Sequence, residues 1–268
     1  MKKVIVCFGD SWTGGHFLDP TVEYIHLLHD NNKEYCNSKT WVRHLQNQTQ
    51  IKTINFGEPA CSNDRIVDRV DKELGNILQD YKPVDILCIV GWSSPERRDF
   101  NIKFKSFNEK LILLPAEGTT AQKREELITR FGKLDGEKIW DFYQNYFYYF
   151  WCFEEYINRH RNNVVLTDSI FTKLNIDVLY FDAFYETSVF VNKQTRETHY
   201  QLATHGQIGK QYNSIYKNKF IPYTFREYLE EMKDKSLFEK DDYHPTEKGH
   251  IVWAKHLTEI LNDRKKIS

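Results

Sequence analysis

Val4-Ile5-Val6-Cys7-Phe8-Gly9-Asp10-Ser11 is the stretch that decides the fold. An apolar run this short, unbroken by polar residues and closed by glycine, is expected for a strand buried on both faces. Ile51 to Phe56, ending at Gly57, reads the same way, as do Val84 to Val90, ending at Gly91, and Ile176 to Phe181. Between these runs the spacing becomes helical. Arg65 to Tyr81 places Ile66, Val67, Val70, Leu74, Ile77 and Leu78 along one face, and Val164 to Leu174 is amphipathic. Strands alternating with helices predict a three-layer α/β/α fold around a central parallel sheet. Ligands bind such sheets beyond the carboxyl ends of the strands. Gly9, Gly57 and Gly91 mark those ends here.

The rest of the chain is less regular. Phe104 to Gly136 is polar and mixed and reads as surface loop with one helix. Ile139 to Ile157 reads as an aromatic helix with Tyr143, Phe147, Phe150, Phe153 and Ile157 on its core-facing side. Thr246 to Leu261 reads as the last helix. The organisation expected is a single domain over 1–268, with inserted helical or loop segments at about 101–160 and 184–239.

Composition excludes several classes. Lys plus Arg is 37 against 38 for Asp plus Glu, a net charge of −1, which argues against a nucleic-acid footprint. An aromatic content of 15% argues against disorder. Cysteines 7, 36, 61, 88 and 152 are odd in number and scattered, so no disulfide framework is expected. No Cys-x-x-Cys pair occurs, and His26, His29 and Cys36 lack further ligands, so neither a metal nor an organic cofactor is expected. The run after Met1-Lys2-Lys3 is too short for a signal peptide, and no stretch is long and apolar enough to span a membrane. A cytoplasmic protein without membrane partners is the expectation.

Two motifs carry chemistry. Ser11 follows the first strand on a tight strand-to-helix turn, where helix-start N–H groups suit a developing oxyanion. The surroundings match neither Gly-x-Ser-x-Gly nor a phosphate-binding loop. Near the other end stands Asp241-Asp242-Tyr243-His244-Pro245. An Asp three residues before a His can fold back on Nδ1 and leave Nε2 as a base. Pro245 turns His244 away from helix, and Thr246 suits an N-cap. His250 falls within the last helix, on its surface or against the sheet.

Together, Gly9-Asp10-Ser11 and Asp241-x-x-His244 resemble the first and last blocks of the SGNH hydrolases, also called GDSL-type esterases. The resemblance covers about residues 2–100 and 163–262 and implies the flavodoxin-like SGNH architecture with inserted segments. It also implies Ser11 as nucleophile, His244 as base and Asp241 as its partner. The family's second block is represented by Asn55-Phe56-Gly57-Glu58-Pro59-Ala60-Cys61-Ser62-Asn63, which puts Ala60 where a glycine usually donates its N–H; Gly57 is the alternative donor. The third block is Gly91-Trp92-Ser93-Ser94, with Ser93 in place of the usual Asn. A serine hydroxyl donates one hydrogen bond but reaches less far. The implied oxyanion hole is thus Ser11, Ala60 and Ser93. Asp10, Trp12, Gly57, Asn63, Trp92 and Arg97 are candidates for lining the substrate site: the tryptophans by stacking on a sugar or acyl group, Arg97 by pairing with a carboxylate or phosphate. Arg98, its neighbour, is a second cation near that site. Core packing and surface ion pairs are the plainer roles for these residues.

The activity expected is cleavage of a small-molecule or carbohydrate ester, such as an O-acetyl group, through an acyl-enzyme. Transfer to an alcohol acceptor by the same triad is the close variant. A binding protein that keeps the fold is the alternative from another class, favoured by the altered oxyanion blocks.

Overall fold

A computed structural model describes residues 2–15, 18, 30–59, 61–95, 97–103, 108–113, 121–150, 152–183, 189–191, 198–200, 219–221, 223–240 and 244–264. The first half holds β1 (Val4–Gly9), α1 (Ser11–Gly14), α2 (Asp30–Lys39), α3 (Trp41–Thr49), β2 (Lys52–Gly57), α4 (Asn63–Asp80) and β3 (Ile86–Trp92). The middle holds an antiparallel hairpin of β4 (Arg98–Lys103) and β5 (Asn108–Leu113), then α5 (Ala121–Phe131), α6 (Lys133–Asn145) and α7 (Phe153–Leu174). β6 (Asp177–Asp182) follows, then a short hairpin of β7 (Val189–Val191) and β8 (Thr198–Tyr200). α8 (Phe225–Glu231) and α9 (Glu247–Asp263) complete the described elements.

The central sheet has the order β2-β1-β3-β6, with every pair parallel. Beyond β6, the Tyr180 N–H donates to Lys219 O and the Ile221 N–H donates to Tyr180 O, both at 2.8 Å, so residues 219–221 pair with that edge. The order reverses at β1, which has β2 on one side and β3 on the other. A crevice at such a reversal is where α/β sheets bind ligands.

Alternation along the strands feeds two cores. Val4, Val6 and Phe8 of β1 join Cys88, Val90 and Trp92 of β3 against α4 and α7. Ile5 and Cys7 join Leu87, Ile89, Leu179 and Phe181 against α3, α8 and α9. This is why the β1 and β3 runs have no polar break: both faces are covered by helices. α4 presents Ile66, Val70, Leu74 and Ile77 at helical spacing, all buried, each worth about 1.5–3 kcal/mol of transfer energy. Its N-cap is Ser62, whose hydroxyl accepts from the Arg65 N–H.

Two expectations are corrected. The stretch 104–136 is not loop with one helix. It contains β5 and α5, with β4 just before it, and α6 begins within it. The alternation Phe100, Ile102, Phe104 is the strand signal, diluted by Asp99, Asn101 and Lys103. The expected helix 139–157 is broken. α6 ends at Asn145, Tyr146–Phe150 widen into a π turn, and α7 starts at Phe153. The extra residue per turn shifts the phase of the aromatic face. Tyr143 and Tyr146 are therefore buried while Phe150 is exposed. The side chains of Phe153 and Ile157 lie outside the described residues.

Candidate active site

The turn carrying Ser11 is built by its neighbours. Asp10 leaves β1 in an extended conformation and caps α1, its Oδ1 accepting the Trp12 N–H at 3.0 Å. α1 is a single turn, closed by Gly15 in the left-handed region (φ 77°), which donates to Ser11 O at 2.9 Å. Asn55 of β2 fastens it from below. Its Oδ1 accepts the Gly57 N–H at 2.8 Å, and its Nδ2 donates to Thr13 O at 2.9 Å and to Asn37 Oδ1 at 3.0 Å. Gly57 is required by close approach, since a Cβ there would stand 2.6 Å from the Thr13 carbonyl carbon. Ser11 is consequently held with its residue surface only 2% exposed.

His244 arrives from the far end of the chain. Glu239 donates its N–H to His244 O at 2.7 Å, Phe238 bridges Pro245, and Thr246 caps α9 by accepting the Gly249 N–H. This clamp brings His244 Nε2 to 3.0 Å from Ser11 Oγ. The Trp12 ring lies 6.1 Å from the imidazole, centroid to centroid. Asp241 and Asp242 lie outside the described residues, as does Ala60.

Beside this pair, Arg97 Nη1 stands 3.1 Å from Asp10 Oδ2, and Asp10 is fully buried. Burial pushes the Asp10 carboxyl up; Arg97, the Trp12 N–H, Ser93 and His244 pull it back down. Ser93 Oγ is close enough to Asp10 to take part in this. It does not reach the distance and angle of an ordinary hydrogen bond with any described group. Its backbone is clasped by Asn63, which accepts the Ser93 N–H at 2.8 Å and donates to Ser93 O at 3.0 Å.

The loop after β2 is tied down by ions. Arg65 pairs in fork geometry with Asp99 and reaches Glu58 at 2.8 Å, while Ser62 Oγ donates to Asp99 at 2.7 Å. Cys61, in this loop, is buried, and burial pushes its thiol well up, away from nucleophilic use.

The sequence-derived candidates therefore separate. Ser11, His244, Asp10, Arg97 and Ser93 converge at the ends of β1 and β3. Gly57 and Asn63 lie beneath, holding backbone. Trp12 and Trp92 are 1% and 0% exposed: Trp12 packs edge-on to Phe225, and Trp92 stacks on Tyr180, so neither presents a face to solvent. Arg98 turns away to Tyr146 and Glu155. His250 is fully buried and accepts the Trp41 N–H through Nδ1 at 3.1 Å. His26 and His29 lie outside the described residues. Among the described residues no group of three or more His, Cys, Asp or Glu gathers as it would around a metal ion.

Sequence reasoning missed His160 and Asp182, which stand beside Asn63 and Trp92 with their side chains 2% and 6% exposed. The signal was present: Tyr156, His160, Val164, Thr167 and Phe171 recur at helical spacing, and all are buried.

No protein-family model and no curated protein matches the sequence. Solved structures do match. A Bacteroides fragilis protein described as an acylhydrolase aligns with a TM-score of 0.50 at 14% identity, covering 99% of this chain and 88% of its own. A Desulfitobacterium hafniense protein described as lipolytic, of the G-D-S-L family, aligns at 0.49 and 10% identity, covering 97% and 100%. The esterase EstA from a Pseudoalteromonas species aligns at 0.48 and 13%, covering 97% and 100%. The first of these shows that the chain has the three-layer α/β/α fold of that acylhydrolase-described protein.

Proposed function

We propose that this protein is a serine ester hydrolase of the SGNH type. The observation that carries the reading is the 3.0 Å approach of His244 Nε2 to Ser11 Oγ across 233 residues of sequence. Support comes also from the motif blocks at both ends of the chain, and from the fold shared with a protein described as an acylhydrolase.

In this reading the Ser11 hydroxyl attacks the ester carbonyl while His244 Nε2 takes its proton. The tetrahedral oxyanion is met by the Ser11 N–H at the start of α1, by Ala60 N–H and by the Ser93 hydroxyl. His244 gives the proton to the leaving alkoxide, the C–O bond breaks, and an acyl-Ser11 ester remains. Water, deprotonated by His244, then releases the acid and restores Ser11. Asp241, three residues before His244, holds the imidazole tautomer. Asp10, paired with Arg97, fixes the turn rather than reacting. Small acyl esters, including O-acetyl groups on carbohydrates, are the substrates proposed, with no cofactor needed.

The test is labelling with a fluorophosphonate probe followed by a panel of acyl esters of differing chain length and sugar. Ser11→Ala is expected to remove both labelling and turnover while the far-ultraviolet circular dichroism stays that of the parent. Labelling that survives in the variant would refute the assignment.

A further inference from the structure

We propose that His160 of α7 is a positioning residue for the loop after β3. It acts through Asn63, and the neighbouring Arg159 braces the same loop. The brace stands on its own geometry; its catalytic meaning rests on the hydrolase reading above.

The argument runs through hydrogen-bond capacity. A primary amide has two N–H donors and one acceptor oxygen. Asn63 uses Oδ1 for the Ser93 N–H and one N–H for Ser93 O. At 3% exposure its second N–H is shut off from bulk water and needs an internal acceptor. His160 Nδ1 stands 3.1 Å from Asn63 Nδ2. That contact holds only if Nδ1 carries the lone pair and the proton sits on Nε2. His160 Nε2 in turn faces Asp182 Oδ1 at 3.5 Å, and an anion there favours that tautomer. Each contact thus selects the next. Reversing the Asn63 amide would set oxygen against Ser93 O and N–H against Ser93 N–H, so the chain also fixes the amide's orientation.

Arg159, next on α7, donates through Nη2 to Arg97 O at 2.9 Å and to Pro95 O at 3.2 Å. Two consecutive residues of one helix therefore hold both ends of the segment from Ser93 to Arg97. That segment places the Ser93 hydroxyl and the Arg97 guanidinium against Asp10, the residue before Ser11 and the N-cap of its turn. An oxyanion donor is effective only when its position is fixed before the reaction.

The experiment combines an exchange measurement with kinetics. In the wild-type protein, nitrogen NMR is expected to show His160 with protonated Nε2 and bare Nδ1; the opposite tautomer overturns the proposal. His160→Phe is expected to speed deuterium exchange of the peptide spanning 91–97 at least about tenfold, leaving the β1 peptide unchanged. It is also expected to lower kcat by roughly tenfold or more with KM little moved. His160→Asn, whose amide oxygen falls near the place of Nδ1, is expected to recover most of both. The double variant Asn63→Leu/His160→Phe is expected to cost no more than Asn63→Leu alone. Unchanged exchange at 91–97, equal acceleration in β1, or no advantage of Asn over Phe would each overturn it. A wild-type protein without Ser11-dependent turnover would instead refute the hydrolase reading, and the exchange and tautomer results would still decide the brace.

Discussion

Acidification is expected to loosen the C-terminal helix through one residue, His250. Its side chain is fully buried, its Nδ1 accepts the Trp41 N–H at 3.1 Å, and its ring meets Phe225 edge-on. Burial pushes its pKa down to about 3, with His44 and His244 adding repulsion. The unfolded chain takes up this proton near pH 6.5. A depressed folded-state pKa means that the unfolded state binds the proton first. Stability contributed by the neutral ring is therefore full above about pH 6.5 and is lost as pH falls toward about 3. One proton gives a slope of about 1.4 kcal/mol per pH unit where the two states differ fully. Between about pH 6 and about pH 4 the loss sums to about 2.5 kcal/mol, a large share of a stability of roughly 5–15 kcal/mol. His250→Asn keeps an acceptor for Trp41 but does not titrate in this range. The smaller side chain is expected to cost about 1–3 kcal/mol at every pH. The assay is urea unfolding of both proteins across that range. Carboxylates titrate alike in both and cancel in the difference, so the variant's stability should fall less steeply. Parallel curves would refute the argument.

Asp241→Asn is expected to lower kcat on the order of 10⁴-fold and Asp242→Asn only mildly, because a His held in the wrong tautomer cannot accept the Ser11 proton; measured kcat in the reverse order would exclude Asp241 as the partner. Ser93→Ala is expected to lower kcat by roughly 10–10³-fold with KM little changed, read from initial rates over a range of ester concentrations; equal activity would make the hydroxyl structural. Arg97→Met leaves the fully buried Asp10 without its cation and is expected to destabilise by about 3–5 kcal/mol. Since the Asp10 carboxyl is then pushed further up, the destabilisation should grow as pH rises. Addition of Asp10→Asn should relieve it, as unfolding midpoints would show.

The layers of this fold were legible from sequence where burial on both faces left continuous apolar runs. β1 and β3 are such strands, and both appear within two residues of their expected bounds. The Ser11 turn was legible because a strand ending Gly-Asp-Ser carries its own N-cap and tight turn. The hairpin β4–β5 and the break before α7 were not read, because charged residues dilute a two-residue alternation and a π turn shifts helical phase. For the site, sequence supplied the residue types and, through resemblance, the two ends to bring together. It carried no local mark of the Arg97–Asp10 pair, 87 residues apart, or of the Asn63–His160 contact, 97 apart. Hydrophobic periodicity reports which side of an element faces inward, since it is set by that element alone. Which polar group a buried side chain meets is set by strand order and by the seating of helices on the sheet. Those follow from the packing of the whole chain, so only the tertiary structure decided them.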